Sequence, residues 1–375
     1  MKTALKILKV VGIVLLVALL LLLAGGIAIQ SPRVQASIGR KVVEAFQKRT
    51  QADISYSDLA IRIPEAIILK DVIVKDRAPQ VEGADTVAAI GLLSTKFSLK
   101  EFLGGGGINI SHARIKDASF TLAFEEDSTS QTGSRMNFMR VLGLKPEEDD
   151  EDGWGDVLSA GNLDIENFRF TMLNPPAEAE SLAEGQVRYP GVINFNDLHV
   201  VIDRFRARHI RVKDSYISGT VDTLRLHETD TGFTLEQASG KVKVGKQRVR
   251  IDDFHFKDTD SEFFLDRLQL DGAIDDYGDF TDKIRISADI NKGSVFSMAT
   301  ASHFGPGIDK MTFKAALEGK IRGYVNDASL DNVVFRELGS GVTASLKGSV
   351  MDVEDIGKSL FNLEVKELGF TLDGV

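Results

Sequence analysis

Apolar residues two positions apart recur through most of this chain, and that period limits what it can fold into. Phe168 and Phe170, Leu198 and Val200, Leu224 and Leu226, Phe233 and Leu235, Val242 and Val244 follow one another with Gly, Asp and Asn between the pairs. Val249 and Ile251, Phe254 and Phe256, Leu268 and Leu270, Ile284 and Ile286 continue the series. Successive side chains of a strand point to opposite sides, so such pairs predict antiparallel strands with one apolar and one polar face, joined by short turns. The pattern begins earlier: Leu59, Ile61 and Ile63 alternate with Asp58, Ala60 and Arg62, and Pro64-Glu65 separates them from an apolar stretch at Ala66 to Val74. After a short helical or turn segment at Ser98 to Leu103 and the run Gly104 to Gly107, alternation resumes at Ile108 and Ile110 and again from Ala118 to Phe124. Beyond residue 50 helical spacing is visible only briefly, around Met136 to Leu142. Leu368, Phe370 and Leu372 still alternate at the last residues, so a sheet cut short, in a fragment of a longer chain, is expected.

Ahead of the strands, Val10 to Ile29 holds no charge. At about 1.5 Å per residue a helix of that length crosses a hydrocarbon core of about 30 Å, which favours an uncleaved signal-anchor. A cleaved signal peptide is the rival, with Gly26-Ile27-Ala28 offering small residues to a peptidase, although cleavable apolar regions run to only about 7–15 residues. Lys2, Lys6 and Lys9 favour a cytoplasmic N-terminus, whereas Arg33, Arg40, Lys41, Lys48 and Arg49 argue the other way. Long C-terminal domains translocate regardless of nearby charge, so residues 1–9 are placed in the cytoplasm and the bulk outside it. Ser31-Pro32 then opens an amphipathic helix over 31–49, with Val34, Ile38, Val42 and Phe46 at a stride of four. Its two readings are a helix packed on the start of the sheet and one whose basic residues meet lipid headgroups.

The composition excludes several function classes. With 375 residues, 43% hydrophobic and 27% charged, the chain has ample material for a folded interior. A net charge of -10 opposes a phosphate-binding surface, and nucleic acid is not an expected partner. Without Cys there is no disulfide framework, thiolate metal site or thiol nucleophile. The acidic run over 146–160 places Glu148, Asp150, Asp152 and Gly153 like the start of a calcium loop, but its twelfth position is Ser159 rather than Glu, so a solvated loop is expected. Gly104 to Gly107 is followed by Ile108-Asn109-Ile110 and no Lys-Ser/Thr, which fits a hinge and not a phosphate cradle. The six His residues form no HExxH, and no GxSxG elbow is present. No catalytic residue, metal ligand or cofactor is nominated, and an enzyme is not expected.

Several stretches resemble a known family. "SPRVQASIGRKVVEAFQKRTQADISYSDLAIRIPEAIILKDVIVKD", "ADTVAAIGLLSTKFSLKEFLGGGGINISHARIKDASFTLAF" and "MNFMRVLG" are similar to the N-terminal region of TamB-like members of the AsmA-like superfamily of diderm bacteria. The resemblance rests on Ile67 to Asp76, Asp85-Thr86 and Asn137-Phe138, and later on Phe304 to Pro306 and the glycines at 319 and 323. It implies an inner-membrane protein whose transmembrane helix is followed by an elongated, curved antiparallel β-sheet, a taco-like groove in the periplasm with few short helices. Residues 50–145 would be its N-terminal β region and 161–375 continuing groove. The implied function is phospholipid transport between inner and outer membranes in envelope biogenesis, alongside an outer-membrane β-barrel of the TamA type reached through a C-terminal region. The residues expected to line the groove for acyl chains, uncovered by protein, are Leu224, Leu226, Phe233, Leu235, Val242, Val244, Val249, Ile251, Phe254, Phe256, Leu268 and Leu270. The alternative is a non-transporting envelope scaffold whose apolar face is closed into a β-sandwich.

Overall fold

The computed structural model describes residues 31–48, 50–62, 66–97, 108–126, 134–143, 158–183, 185, 187–213, 216–273, 280–305, 313–352 and 359–370. The expected cytoplasmic and membrane segments at 1–9 and 10–29, the run at 104–107 and the acidic run up to residue 157 lie outside them. The fold is mainly β: the described residues hold 17 strands, mostly antiparallel, and a few short helices. It divides into two compact units, one extending to Asp214 and including Leu226–Gly232, the other made of Ser215–Arg225 and Phe233–Val375.

The N-terminal unit opens on α1 (Pro32–Gln47). Proline suits the first helical position because its missing N–H has no partner to lose there, and the Ser31 carbonyl accepts from the amides of Val34 and Gln35 at 3.0 and 3.1 Å. One side of the helix is tied to the sheet. Buried Gln35 donates Nε2 to the Ile61 carbonyl at 2.8 Å, Gly39 sits close against the Tyr56 ring, and Gln47 Nε2 donates to the Ile54 carbonyl at 3.1 Å. Strands β1 (Ala52–Ser55) and β2 (Asp58–Arg62) lie end to end along β3 (Ala66–Asp76), the first pairing Ala52 with Asp76 and the second Arg62 with Ala66. From β3 the sheet runs through β4 (Thr86–Phe97) to β5 (Ile108–Glu126), then β7 (Leu158–Leu173) and β8 (Asp197–Lys213).

Two features depart from the sequence reading. Strands β5 and β7 pair in parallel, Ile108 beside Leu158 and Ala123 beside Leu173, because the chain between them returns to the end where β5 began. That return holds β6 (Ser134–Met136), antiparallel to the end of β5, and α2 (Asn137–Val141). Alternation reports which face a residue takes and is silent on strand direction, so it could not announce the crossover. A nine-residue helix, α3 (Pro175–Ala183), also stands where no helix was expected. Its apolar residues are too few to set a period, and its start is marked instead by Asn174, whose Oδ1 accepts from the Ala177 amide at 3.3 Å.

Helix α2 closes one end of this unit's core. Phe138 and Val141 are buried with Ala52 and Val87, and Phe120, Leu122 and Met136 pack around them. Asn137, wholly buried, acts as a short stretch of strand: its Oδ1 accepts from the amides of Ala123 (3.0 Å) and Phe138 (2.8 Å), and its Nδ2 donates to the Thr121 carbonyl at 3.1 Å. Arg140 uses its whole fork. Nε and an η nitrogen reach Glu125 at 2.8 and 2.6 Å, Asp76 accepts from both η nitrogens, and Gln51 Oε1 accepts at 2.7 Å. The side chains of Asp76 and Glu125 are each 1% exposed and that of Arg140 6%. Its hydrogen bond to Glu125 holds the guanidinium charged, raising its pKa above the ordinary arginine value against the opposing effect of burial.

The C-terminal unit begins with Tyr216–Arg225 of β9 (Tyr216–Glu228) and is an up-and-down meander. Strands β10 (Thr234–Gly245), β11 (Arg248–Asp258), β12 (Glu262–Asp271), β13 (Arg285–Ser297), β14 (Lys314–Tyr324), β15 (Asp327–Glu337), β16 (Thr343–Met351) and β17 (Leu360–Gly369) each pair antiparallel with the next. Short helices α4 (Phe280–Lys283) and α5 (Met298–Ser302) flank β13, and Ser297 caps α5 by accepting from the Ala299 amide at 3.2 Å.

A transverse row of residues with left-handed backbone crosses each unit, and in the second unit it coincides with β-bulges. In the first, Asp71, Asp117 and Asn167 take positive φ of 50°, 51° and 53°. The register aligns them: Asp71 falls opposite Gly91, Gly91 opposite Asp117 and Asp117 beside Asn167, which donates Nδ2 to Asp117 at 2.7 Å. In the second, Asp253 (φ 53°), Gly293 (96°), Gly319 (132°) and Asn332 (49°) sit at the register shifts of their strands. Gly319 is required: an added Cβ there would lie 2.6 Å from the Asn332 carbonyl oxygen. Bulges bend the strand that carries them and tighten its twist, so in the second unit the strands carrying this row bend there and the row gives that sheet a crease.

Candidate functional site

In the C-terminal unit the register assigns side chains to faces, because residues directly opposite on antiparallel strands share one. Val242 faces Ile251 and Val244 faces Val249. Ile251 in turn faces Leu268 and Val249 faces Leu270, and these oppose Ala288 and Ile286 of β13. These eight therefore stand on one face. Phe254 and Phe256 differ from Ile251 in parity, yet Phe256 lies opposite Ala238, which shares the parity of Val242. The left-handed Asp253 absorbs the difference and returns both Phe residues to the apolar side.

Beyond the bulges the face is aromatic. Ring centroids are 6.5 Å apart from Phe254 to Phe256, 5.9 Å from Phe256 to Phe263, 6.1 Å from Phe263 to Phe296, 6.4 Å from Phe296 to Phe313 and 5.9 Å from Phe313 to Phe335. The first step runs along β11 and each later one crosses to a neighbouring strand or its flank, so one line of rings runs across β11 to β15. All six rings are half-buried. Contact with side neighbours hides part of each ring and the rest remains open.

Of the twelve residues expected in the groove, Val242, Val244, Val249, Ile251, Phe254, Phe256, Leu268 and Leu270 are brought together on this face, half-buried. Phe233 and Leu235 are 8% and 6% exposed, closed where the sequence reading had them open. The reason is the segment after β13: the Phe233 ring meets His303 and Phe304 edge-on, each at 5.4 Å. Leu224 is half-buried and separated from Leu226 by exposed Arg225, and Leu226 belongs to the N-terminal unit. The sequence reading missed Phe263, Phe296, Phe313 and Phe335. Phe263 has Phe264 beside it, which erases alternation, and Phe296 and Phe335 follow bulges that reset the period.

The opposite face is charged. Arg250 holds Asp252 at 2.8 Å, Arg267 approaches the same carboxylate at 3.6 Å, Lys241 pairs with Asp253 at 2.6 Å, and Arg322 pairs with Asp289. The hydrogen bonds from Arg250 keep the Asp252 carboxyl below the ordinary carboxylate range. His255 stacks on Phe264 with centroids 4.6 Å apart and contacts Glu262 at 2.8 Å. Among the described residues no group of three or more His, Cys, Asp or Glu is disposed to hold a metal ion.

The N-terminal unit offers a cleft of about 760 Å³ beside α3, lined by Val81, Phe124, Leu173, Pro175, Glu178 and Arg188 among others. Glu178 and Arg188 are hydrogen-bonded to each other at 2.7 Å, so the cleft presents a neutralised pair rather than a free charge. Among the described residues no helix is long and apolar enough to cross a membrane. Neither protein-family models nor curated proteins give a match to this chain.

Proposed function

We propose that this chain is a membrane-anchored β-groove protein that carries phospholipid acyl chains along the apolar face of its sheet, on the non-cytoplasmic side of an inner membrane. The observation that carries the reading is the line of half-open Phe rings from Phe254 to Phe335 on a sheet whose other face is charged. Burying a methylene is worth about 0.8 kcal/mol, so a tail leaving a bilayer is held by an unbroken apolar track while its headgroup stays in water. No nucleophile, metal or cofactor is needed for such transfer. The uncharged run at residues 10–29 supplies the anchor, and the likeness to TamB-like proteins supports an envelope role, with an outer-membrane β-barrel as the distant partner.

Two adjacent residues test the reading. Phe263 lies on the ring line, whereas Phe264 is 36% exposed on the charged face. The full chain is reconstituted in vesicles containing a phospholipid with a photoreactive group in its acyl chain, and adducts are mapped by mass spectrometry. Adducts are expected around Phe256, Phe263 and Phe296; Phe263→Asp should reduce them about tenfold or more, the cost of a charge in an apolar track, and Phe264→Asp should leave them. Adducts confined to residues before Ser31, or equal loss in both variants, would sink the proposal.

A further inference from the structure

We infer that the outer face of α1 is a docking surface for the anionic headgroups of the membrane holding the apolar run at residues 10–29. The inference rests on the anchor reading and adds a surface and a ligand to it. Side-chain tethers decide which way the helix faces. Gln35 to the Ile61 carbonyl, Gly39 against Tyr56 and Gln47 to the Ile54 carbonyl commit one side to β1 and β2. The side left in solvent carries Arg33, Arg40, Lys41 and Lys48, all exposed, against the single acid Glu44.

Chain length fixes the reach. Ile29 and Pro32 are separated only by Gln30 and Ser31, so three Cα steps, at most about 11 Å, join the apolar run to the helix. Each headgroup layer adds about 5–8 Å beyond the hydrocarbon core, so Arg33, on the first turn of the helix, is within reach of it. A helix 16 residues long extends about 24 Å, and lying along the surface it would bring Arg40, Lys41 and Lys48 to the same layer. Each basic residue near an anionic surface strengthens attachment about fivefold at moderate salt. A membrane also explains why this helix carries its excess of positive charge while the whole chain is at -10.

The test uses the full chain in nanodiscs of phosphatidylcholine alone or with phosphatidylglycerol, with amine acetylation read residue by residue. Lys41 and Lys48 should react about fivefold more slowly in the anionic discs, high salt should abolish the difference, and exposed Lys347 should react equally in both. Arg33→Glu with Arg40→Glu, both on the exposed side, should restore the Lys48 rate. Equal rates at Lys41 and Lys48 in both discs overturn the inference. If those rates are equal while acyl adducts still form on the apolar face, this inference alone falls; a chain that fails to enter the discs overturns the anchor reading and this one together.

Discussion

Asp253 is a surface residue whose backbone carries more weight than its side chain. Its φ of 53° turns Phe254 and Phe256 onto the face of Ile251, whereas its ion pair with Lys241 joins two side chains each 67% exposed and contributes little. Left-handed backbone costs an L-residue about 1–2 kcal/mol, least for Asp, Asn and Gly. Asp253→Gly is therefore expected to change the urea midpoint by little, and Asp253→Val to destabilise by about 1–2 kcal/mol, both followed by circular dichroism. A larger loss in the glycine variant would show that the ion pair matters more than the backbone. Arg140 is the converse case, a side chain that carries everything. Removing one partner of a buried ion pair costs about 3–5 kcal/mol because the remaining charge is stranded. Arg140→Met should lower stability by that amount and speed hydrogen exchange at the Ala123 amide, which hangs on the α2 residue Asn137. Arg140→Lys should recover only part of it, as an ammonium cannot serve Glu125, Asp76 and Gln51 with one planar fork.

At the scale of elements, the hairpin ends repeat one device. Glu228, at the end of β9, accepts from the Asp230 amide at 3.0 Å and from the Thr231 amide and hydroxyl at 2.6 and 2.5 Å. Glu337, at the end of β15, does the same with the Gly339 amide at 2.8 Å and with Ser340. Asp258 takes the amides of Asp260 and Ser261 at 2.8 and 2.5 Å. For Glu228 burial pushes the pKa up and these donors more than reverse it; for Glu337 the Ser340 donors dominate. Both folded values lie below the unfolded value of about 4.3, so the unfolded chain binds more protons as pH falls. The stability these turns contribute is complete above about pH 5 and lost as pH drops through the depressed folded values. Melting temperature should fall with acid below that point, and Glu228→Gln should flatten the fall in the N-terminal unit, to which Glu228 belongs. An unchanged acid profile would count against the turn carboxylates. Such turns were visible in the sequence only as Gly, Asp and Asn punctuation, because a carboxylate three residues before Ser or Thr is common and its hydrogen bonds are not.

For the whole molecule, what the sequence made legible was what depends on period. The mainly β fold, α1, the helix near Met136 and the grouping of Val242, Val244, Val249, Ile251, Leu268 and Leu270 all follow from spacing. Strand direction, as in the parallel β5–β7 pair, and the closing of Phe233 and Leu235 by the His303-Phe304 segment depend on where distant chain returns, which spacing does not encode. The ring line was half visible: Phe254 and Phe256 were found, Phe263 was masked by the adjacent Phe264, and Phe296 and Phe335 were hidden because bulges shift the phase of an alternation assumed to be strict. The left-handed positions themselves were printed in the sequence as "LKDVIV", "IKDASF", "IENFRF", "IDDFHF" and "LDNVVF", an Asp or Asn two residues after one apolar residue and directly before an apolar pair spaced by two.

Those bulges also set the step in which such a sheet can change length. From β10 to β17 each strand pairs with its sequence neighbours, and the strands carry their own register shifts, so bend and facing are decided locally, hairpin by hairpin. Duplicating or deleting one strand would reverse every later strand and exchange the two ends of the meander. Adding or removing two restores direction, crease and apolar side at once. The unit of growth for this architecture is therefore the hairpin, and its span can drift between related chains by pairs of strands without any other part being redesigned.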